Sequence, residues 1–518
     1  MFLVRGSCCA SDPLLRRRSL TDDAPPAHTV DQFVSLGRAA KSWWPSRLTL
    51  SPLLLLTPAY AVSSMLILQP TFLDERLSAD FNVDEQVLAA VSMAFFGCWG
   101  IGTFFITRFA DRYGRKPAAL GCVIAATTLS AICAAAPFFP VYAISRALLG
   151  APVGAAGGVT YLLCVEWALP ADNGVLTSLM MVVWSLCAAA LPGLIYLTDE
   201  VHASWRIQQL MLSGIMALPL LTVPFVLESP RFHLASGRTE VAEALLWKAC
   251  ERGRVHVPDG SRLVPLEAPS CAAPQQEQPQ QPQQQPALDS ANAAAAAVQD
   301  VTIINSLHSP ESGGGSSRRA TCCPPQLTSP STVWKLLLVG LNWLAVALLF
   351  YGLDFSEGSQ EGDKDQNKYI HAALTSLVDI PGYLIGSLLA DTRLGRRLTA
   401  ALSLLLGGSC LLLTAAAEAS LPHDRASSVA SGLTLAGKLC AASAFVQAYL
   451  FPAEMFSTTI RATALGIANV FARTGAMLAP LAETAPAAVV RLGLGGLSLL
   501  AGGATLLLPE RRGEALPD

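Results

Sequence analysis

Charge is scarce in this chain. Asp, Glu, Lys and Arg make up 14% of its 518 residues, where a soluble domain carries about a quarter. So little polar surface excludes a large soluble globular protein. Neither sign dominates, since the formal net charge is -3, and nucleic acid is therefore not an expected partner. No apolar run precedes Leu50, and no cleavable leader is expected. There is no Asn-x-Ser/Thr sequon and no Cys-x-x-C pair or His–Cys cluster at metal-site spacing; the 13 cysteines read as packing residues and reduced thiols. A Walker phosphate loop, a Gly-x-Ser-x-Gly elbow and a convergent His–acid pair are also missing. Cofactor, metal and enzyme chemistry, and drive by ATP, are accordingly not expected.

Apolar sequence is what the chain has in abundance. Hydrophobic residues make up 52% and the mean hydropathy is +0.44. A helix needs about 20 apolar residues to cross about 30 Å of hydrocarbon. Twelve stretches qualify: 50–68, 86–107, 118–136, 141–165, 175–197, 207–227, 333–353, 372–390, 398–417, 428–450, 460–480 and 485–508. The expected fold class is an all-α integral membrane protein, with twelve spans in two six-helix bundles.

The connections alternate in charge. "LDERLSADFNVDE" after the first span carries five acids and one base, and "DFSEGSQEGDKDQNK" after the seventh is acidic too. Exits from the second, sixth and eighth spans are basic. Positive loops stay in the cytosol, so both termini are expected there. Five segments follow: a cytosolic tail 1–49, a first bundle 50–227, a cytosolic linker 228–332, a second bundle 333–508 and a cytosolic tail 509–518. The linker opens with a stretch whose Val241, Leu245 and Leu246 predict a short amphipathic helix on the inner leaflet. It continues through "PQQEQPQQPQQQP", too polar and Pro-rich to pack. That stretch is read as a disordered tether and a candidate contact for a cytosolic partner.

One polar knot occurs twice. "RFADRYGRKP" (108–117) lies between the second and third spans of the first bundle, and "LADTRLGRRLTA" (389–400) holds the same place in the second. Six plus six spans with a repeated inner loop read as a duplicated bundle. Parallel repeats with a substrate site near the midplane are a known transporter architecture.

At these residues the chain resembles the major facilitator superfamily, whose inner-loop signature is Gly-x-x-x-Asp-Arg-x-Gly-Arg-Arg/Lys. Asp111, Arg112, Gly114, Arg115 and Lys116 match it; the upstream glycine is replaced. In the second copy Gly395, Arg396 and Arg397 match better than Asp391. "ESPRFHLASGR", "FPAEMFSTTIRATALGIANVFARTGAMLAP" and "RALLGAPVGAAGGVTYLLCVEW" are similar to segments of the organic cation and organic anion carriers of solute carrier family 22. The long, cysteine-bearing, glycosylated loop usual in that family after span one is absent.

The resemblance, closer to the organic anion carriers, implies a secondary or facilitative carrier of small organic ions, organic anions first, multi-pass in the plasma membrane, working by alternating access. It also implies an inner-face gating network of Asp111, Arg112, Arg115, Glu166, Glu228, Arg231, Arg396, Glu454 and Arg461. Ordinary topology-setting charge at helix ends would explain the same residues.

Three charges fall inside spans, where they are costly and usually face a cavity or a partner. Arg473 lies roughly 18 Å into span eleven, and Lys438 and Asp379 roughly 12 Å into spans ten and eight. Lys438 and Asp379 can pair with each other, and Asp379 can also serve Arg473. In the family, the position of Arg473 in "ARTG" tends to be arginine in anion carriers and acidic in cation carriers. A guanidinium in a cavity is a good carboxylate anchor, so Arg473 is the leading substrate contact. Asn342, Tyr351, Tyr383 and Trp184 are further cavity candidates. Tyr383 stands where the family's anion carriers often have lysine, which weighs against the anion reading. An organic cation carrier and a transport-inactive receptor with the same fold remain as alternatives.

Overall fold

The structure is a computed structural model describing residues 27–36, 47–169, 172–255, 257, 262–263, 329–358, 367–390, 392–456 and 458–510. The Gln/Pro-rich stretch of the linker lies outside the described residues.

Helices make up almost all of it. The first half holds α1 (Val30–Leu36), α2 (Arg47–Ala61), α3 (Ser63–Leu68), α4 (Pro70–Phe81), α5 (Glu85–Tyr113), α6 (Arg115–Ala135), α7 (Phe139–Glu166), α8 (Asn173–Glu200), α9 (Trp205–Ala217), α10 (Pro230–Ala235) and α11 (Thr239–Gly253). The second holds α12 (Pro330–Gly358), α13 (Asn367–Ala390), α14 (Gly395–Ser420), α15 (His423–Met455), α16 (Thr458–Leu478), α17 (Leu481–Thr484) and α18 (Ala487–Thr505). Among the described residues the strand pairing is one short parallel ladder, β1 (Ala27–His28) on β2 (Arg262–Leu263).

Eleven stretches among the described residues are long and apolar enough to cross a membrane. The expected eleventh span corresponds to α16, whose apolar part, Ala464–Leu478, is shorter than the others. Leu54, Phe105, Leu388, Val470 and Leu500 are each more than 60% exposed. Side chains of this kind facing outward from a helix bundle suit hydrocarbon.

Within the first half α5 and α6 pack on α7, and α6 on α9. Within the second, α14 packs on α15 and α18, α12 on α16, and α13 on α15. The halves meet chiefly along α8 with α13 and α5 with α16.

Local chemistry explains where the elements depart from expectation. The acidic stretch after the first span is helical. α2, α3 and α4 follow one another with only Val62 and Gln69 between them, both right-handed. Pro70, at the start of α4, needs no backbone N–H there. Asn82 then ends the rod in the left-handed conformation. α12 likewise runs a turn beyond the expected end at 353, which draws Asp354 out of the acidic loop and into the protein. α9 gives way to two 3-10 turns, Leu218–Leu221 and Val223–Phe225, where Pro219 and Pro224 interrupt the helical hydrogen bonds.

α11 buries Ala242, Leu246, Ala249 and Cys250, while Val241 is exposed. Its inner face therefore packs on the bundle beside α2. The N-terminal tail contributes α1, whose Asp31 reaches Arg231.

The repeated knot places a positive-φ glycine at the start of a helix in both halves. Gly114 adopts φ 115° and Gly395 φ 72°, where a side chain is strained. A Cβ on Gly114 would lie 2.3 Å from Glu228 Oε2, and one on Gly395 2.9 Å from Glu510 Oε2. Each carboxylate follows the last span of its half. Glu228 accepts from the backbone N–H of Arg115 and Lys116, and Glu510 from that of Arg397. An acid thus caps the helix that each knot starts, complementing the positive end of its dipole.

Candidate functional site

Mid-depth aromatic side chains from both halves converge around Arg473. The guanidinium lies 4.4 Å from the centroid of the Trp99 ring, and the Arg473 stem runs along Gly100 of α5. Trp99 stacks on Phe96 (5.6 Å between centroids), and Phe96 meets Tyr351 of the second half at 5.5 Å. Tyr60 of α2 packs on Trp184 of α8 at 5.4 Å. Trp343 and Tyr449 meet edge to face at 4.7 Å. Tyr60, Tyr351 and Tyr449 all lie within electrostatic reach of Arg473. Arg473 has no hydrogen bond or ion pair to any described residue, and its Nε is buried without an acceptor. The indole N–H groups of Trp99 and Trp343 are in the same condition.

A second cluster lies beside it. Lys438 Nζ is fully buried and donates to Asp354 Oδ1 at 2.7 Å and to the Phe350 carbonyl at 3.0 Å. Asp379 Oδ1 is 3.7 Å away, and the ammonium sits 3.5 Å from the Phe350 ring centroid. Lys438 thus contacts Asp379, but its closer partner is Asp354. Tyr383 is buried within electrostatic reach of Asp379, Tyr60 and Tyr351. The Asn342 amide donates to Thr505 at 2.8 Å and ties α12 to α18.

The first half holds a polar core of its own. Arg146 is 1% exposed and donates to the Gln69 side chain at 3.2 Å and the Leu66 carbonyl at 2.6 Å. Gln69 passes the chain to Gln209, and Gln209 to Ser130 at 2.9 Å. Arg146 stands among apolar residues just as Arg473 does, and that placement was its sequence signal.

On the face that bears α4, the halves are latched. The Tyr369 hydroxyl donates to Asp199, and Asp199 also accepts from Arg76 at 2.6 Å. Tyr369 stacks on Phe72 at 6.1 Å and meets Tyr196 at 5.6 Å. A cavity of only about 20 Å³ remains beneath, lined in part by Phe72, Asp354 and Ala372. Nearby, burial pushes the Asp74 carboxyl up to about 7, with the Arg146 charge opposing the rise. Hydrogen bonds from Arg206 and Trp205 hold Asp80 below the usual carboxylate range.

The opposite face bears the knots. Arg115 pairs with Asp111 at 3.0 Å and Glu166 at 3.1 Å. Arg231 donates to the carbonyls of Glu166 and Ala168 and pairs with Asp31 at 2.5 Å. Arg112 is exposed and lies over the Tyr113 ring. Arg396 is half-buried in the first turn of α14. The Glu454 and Arg461 side chains lie outside the described residues. The ion pairs between described residues on this face each stay within one half. Glu510, which mirrors Glu228, was missed in the sequence because it sits in a short charged tail.

The Sugar (and other) transporter family matches residues 59–259. In fold, the chain is similar to the proton:xylose symporter XylE of the major facilitator superfamily, with TM-score 0.61 at 15% identity, over 90% of this chain and 97% of that one. Rabbit (Oryctolagus cuniculus) organic anion transporter 3 is 27% identical over 423 residues, 81% of this chain and 68% of the relative. The chain is thus similar in sequence to organic ion transporters and in fold to a major facilitator symporter. Two further relatives are the Drosophila melanogaster organic cation transporter protein, at 25% over 81% of this chain and 68% of the relative, and Xenopus tropicalis solute carrier family 22 member 15, at 27% over 82% and 70%. This chain is a multi-pass membrane transporter whose relatives include both anion and cation carriers.

Proposed function

We propose that the protein carries small organic anions across the plasma membrane by alternating access between bundles 50–227 and 333–508. Arg473 is the observation on which this stands. It is a permanently charged guanidinium at the meeting of the halves, with no hydrogen-bonding or ion-pair partner among the described residues. A carboxylate would satisfy it through charge-assisted hydrogen bonds, and the free indole N–H groups of Trp99 and Trp343 also favour an acceptor-rich ligand. Tyr351, Tyr383 and Trp184 supply aromatic wall. Asn342 is better read as a helix tie.

Loop charge supports placing the knots and both termini in the cytosol. The described conformer is then the one closed to the outside by the Tyr369 latch. Asp111, Arg115, Glu166, Glu228, Arg231, Arg396, Glu454 and Arg461 would form the opposing inner network, bridging the halves when that latch opens. Arg112 stands outside it. The linker keeps its role as tether and candidate contact for a cytosolic partner.

A cation carrier is the second reading, favoured by the two carboxylates, Asp354 and Asp379, that share one lysine. Reconstitution into liposomes separates the readings. Saturable uptake of a labelled dicarboxylate without uptake of a quaternary ammonium ion is expected. The reverse preference supports the cation carrier, and saturable binding without flux supports a receptor.

A further inference from the structure

A pocket separate from the midplane clusters opens on the knot-bearing face between α2 and α11. Its volume is about 350 Å³, at the small end of ligand pockets. Leu48, Pro52 and Leu55 of α2 and Val226 and Leu227 beyond α9 make it apolar. Trp167 closes it; this residue is 1% exposed, and its indole N–H has no acceptor among the described residues. Leu54 also lines the pocket and is 65% exposed. On a spanning helix, such a residue makes the mouth face the bilayer.

The rim is cationic. Arg252 lines the pocket and donates one Nη1 hydrogen to the Phe225 carbonyl at 2.9 Å. Lys116 Nζ donates to the neighbouring Pro224 carbonyl at 2.7 Å. Lys248 stands one helical turn before Arg252, exposed, and both lie within electrostatic reach of Lys116. Glu228, the acid also in reach of Lys116, already accepts from the backbone N–H groups of Arg115, Lys116 and Ser229. Arg252 and Lys248 therefore keep donor capacity for a ligand at the depth where the span meets the headgroups.

We propose that this pocket binds one anionic glycerophospholipid from the adjoining leaflet. An acyl chain fills the apolar volume. The phosphate sits among Arg252, Lys248 and Lys116. Apolar walls, a bilayer-facing mouth and a cationic rim are together the complement of such a lipid rather than of a soluble anion. Because α2 and α11 both line the site, the lipid would brace α11 against the first bundle.

The test uses the purified full chain and native mass spectrometry, and reads binding without flux, so it can fail or succeed independently of the transport reading. Phosphatidylserine is offered against phosphatidylcholine of the same acyl chains. One retained phosphatidylserine is expected, with phosphatidylcholine released. Arg252→Gln and Lys248→Gln should each weaken retention about fivefold, the usual effect of one basic residue at an anionic surface. Arg252→Lys should keep most of it. Ser51→Trp, which fills the pocket without touching a cation, should abolish it. Glycerophosphoserine, the headgroup without chains, should not compete. Equal retention of phosphatidylcholine, unchanged retention in both Gln variants, or competition by the free headgroup would each overturn the proposal. Should Ser51→Trp fail to fold, the contrast between Arg252→Lys and Arg252→Gln still decides it.

Discussion

Lys438 donates to Asp354 at 2.7 Å while Asp379 stands 3.7 Å from the same nitrogen. One ammonium serves two carboxylates, and the three side chains are all nearly excluded from solvent. Removing the cation leaves both acids facing each other in a buried setting. Lys438→Ala should lower stability by about 3–5 kcal/mol, the usual effect of breaking a buried pair. Adding Asp354→Leu should recover much of the loss. Thermal melting in detergent checks both, and a Lys438→Ala protein that melts like the parent would remove the pair from the stability account.

The knot glycines should tolerate no side chain. Gly114→Ala and Gly395→Ala each combine a left-handed backbone with a collision against Glu228 or Glu510. Each should destabilise by more than about 1 kcal/mol. Shortening the acid in a Gly114→Ala, Glu228→Asp double variant relieves the collision but not the backbone strain. Its melting temperature should fall between those of parent and Gly114→Ala.

Tyr369→Phe tests the latch. It removes only the hydrogen bond to Asp199 and keeps the stacking on Phe72. A hydrogen bond to a charged group is worth about 1.5–3 kcal/mol, so the closed conformer should lose roughly tenfold or more in population. A cysteine placed at Ala372, in the small cavity under the latch, should then react faster with a polar thiol reagent. An unchanged labelling rate would mean that Tyr369 does not hold the halves closed.

Asp74 should make stability fall as pH rises. Its carboxyl titrates near 7 in the folded protein, against an ordinary 3.8. The folded state therefore holds the proton more tightly. The resulting stabilisation is complete below about 4 and is lost as pH climbs through 7. Asp74→Asn should flatten the melting temperature between about pH 4 and 7 relative to the parent and melt higher at pH 8. An identical pH profile would place Asp74 in water.

Span-length apolar runs and alternating loop charge were enough to read a helical membrane fold from the sequence, because both signals are local. The repeated knot was also legible, since strained glycine and helix-start charge are local requirements. Pairing was not. Asp354 looked like the first residue of an acidic loop, and only the extra turn of α12 turns it toward Lys438. Glu510 looked like tail charge, although it repeats the role of Glu228 in the other half. Asn342 looked like a cavity residue because its partner, Thr505, lies 163 positions away. Trp99, the ring under Arg473, was one aromatic among many in an apolar run. Each miss depends on which helix faces which, and periodicity alone does not encode that.

The most direct measurement is initial uptake of a labelled organic dicarboxylate into liposomes carrying parent, Arg473→Ala or Arg473→Lys protein. The Arg473 guanidinium remains charged throughout the physiological range and has no ion-pair partner among the described residues. Arg473→Ala should therefore reconstitute normally and lose roughly ten- to a hundred-fold of uptake, the value of a charged hydrogen-bonding contact. Arg473→Lys should recover only part, because a point charge lacks the two-pronged geometry. Uptake by Arg473→Ala equal to that of the parent would contradict the anion site.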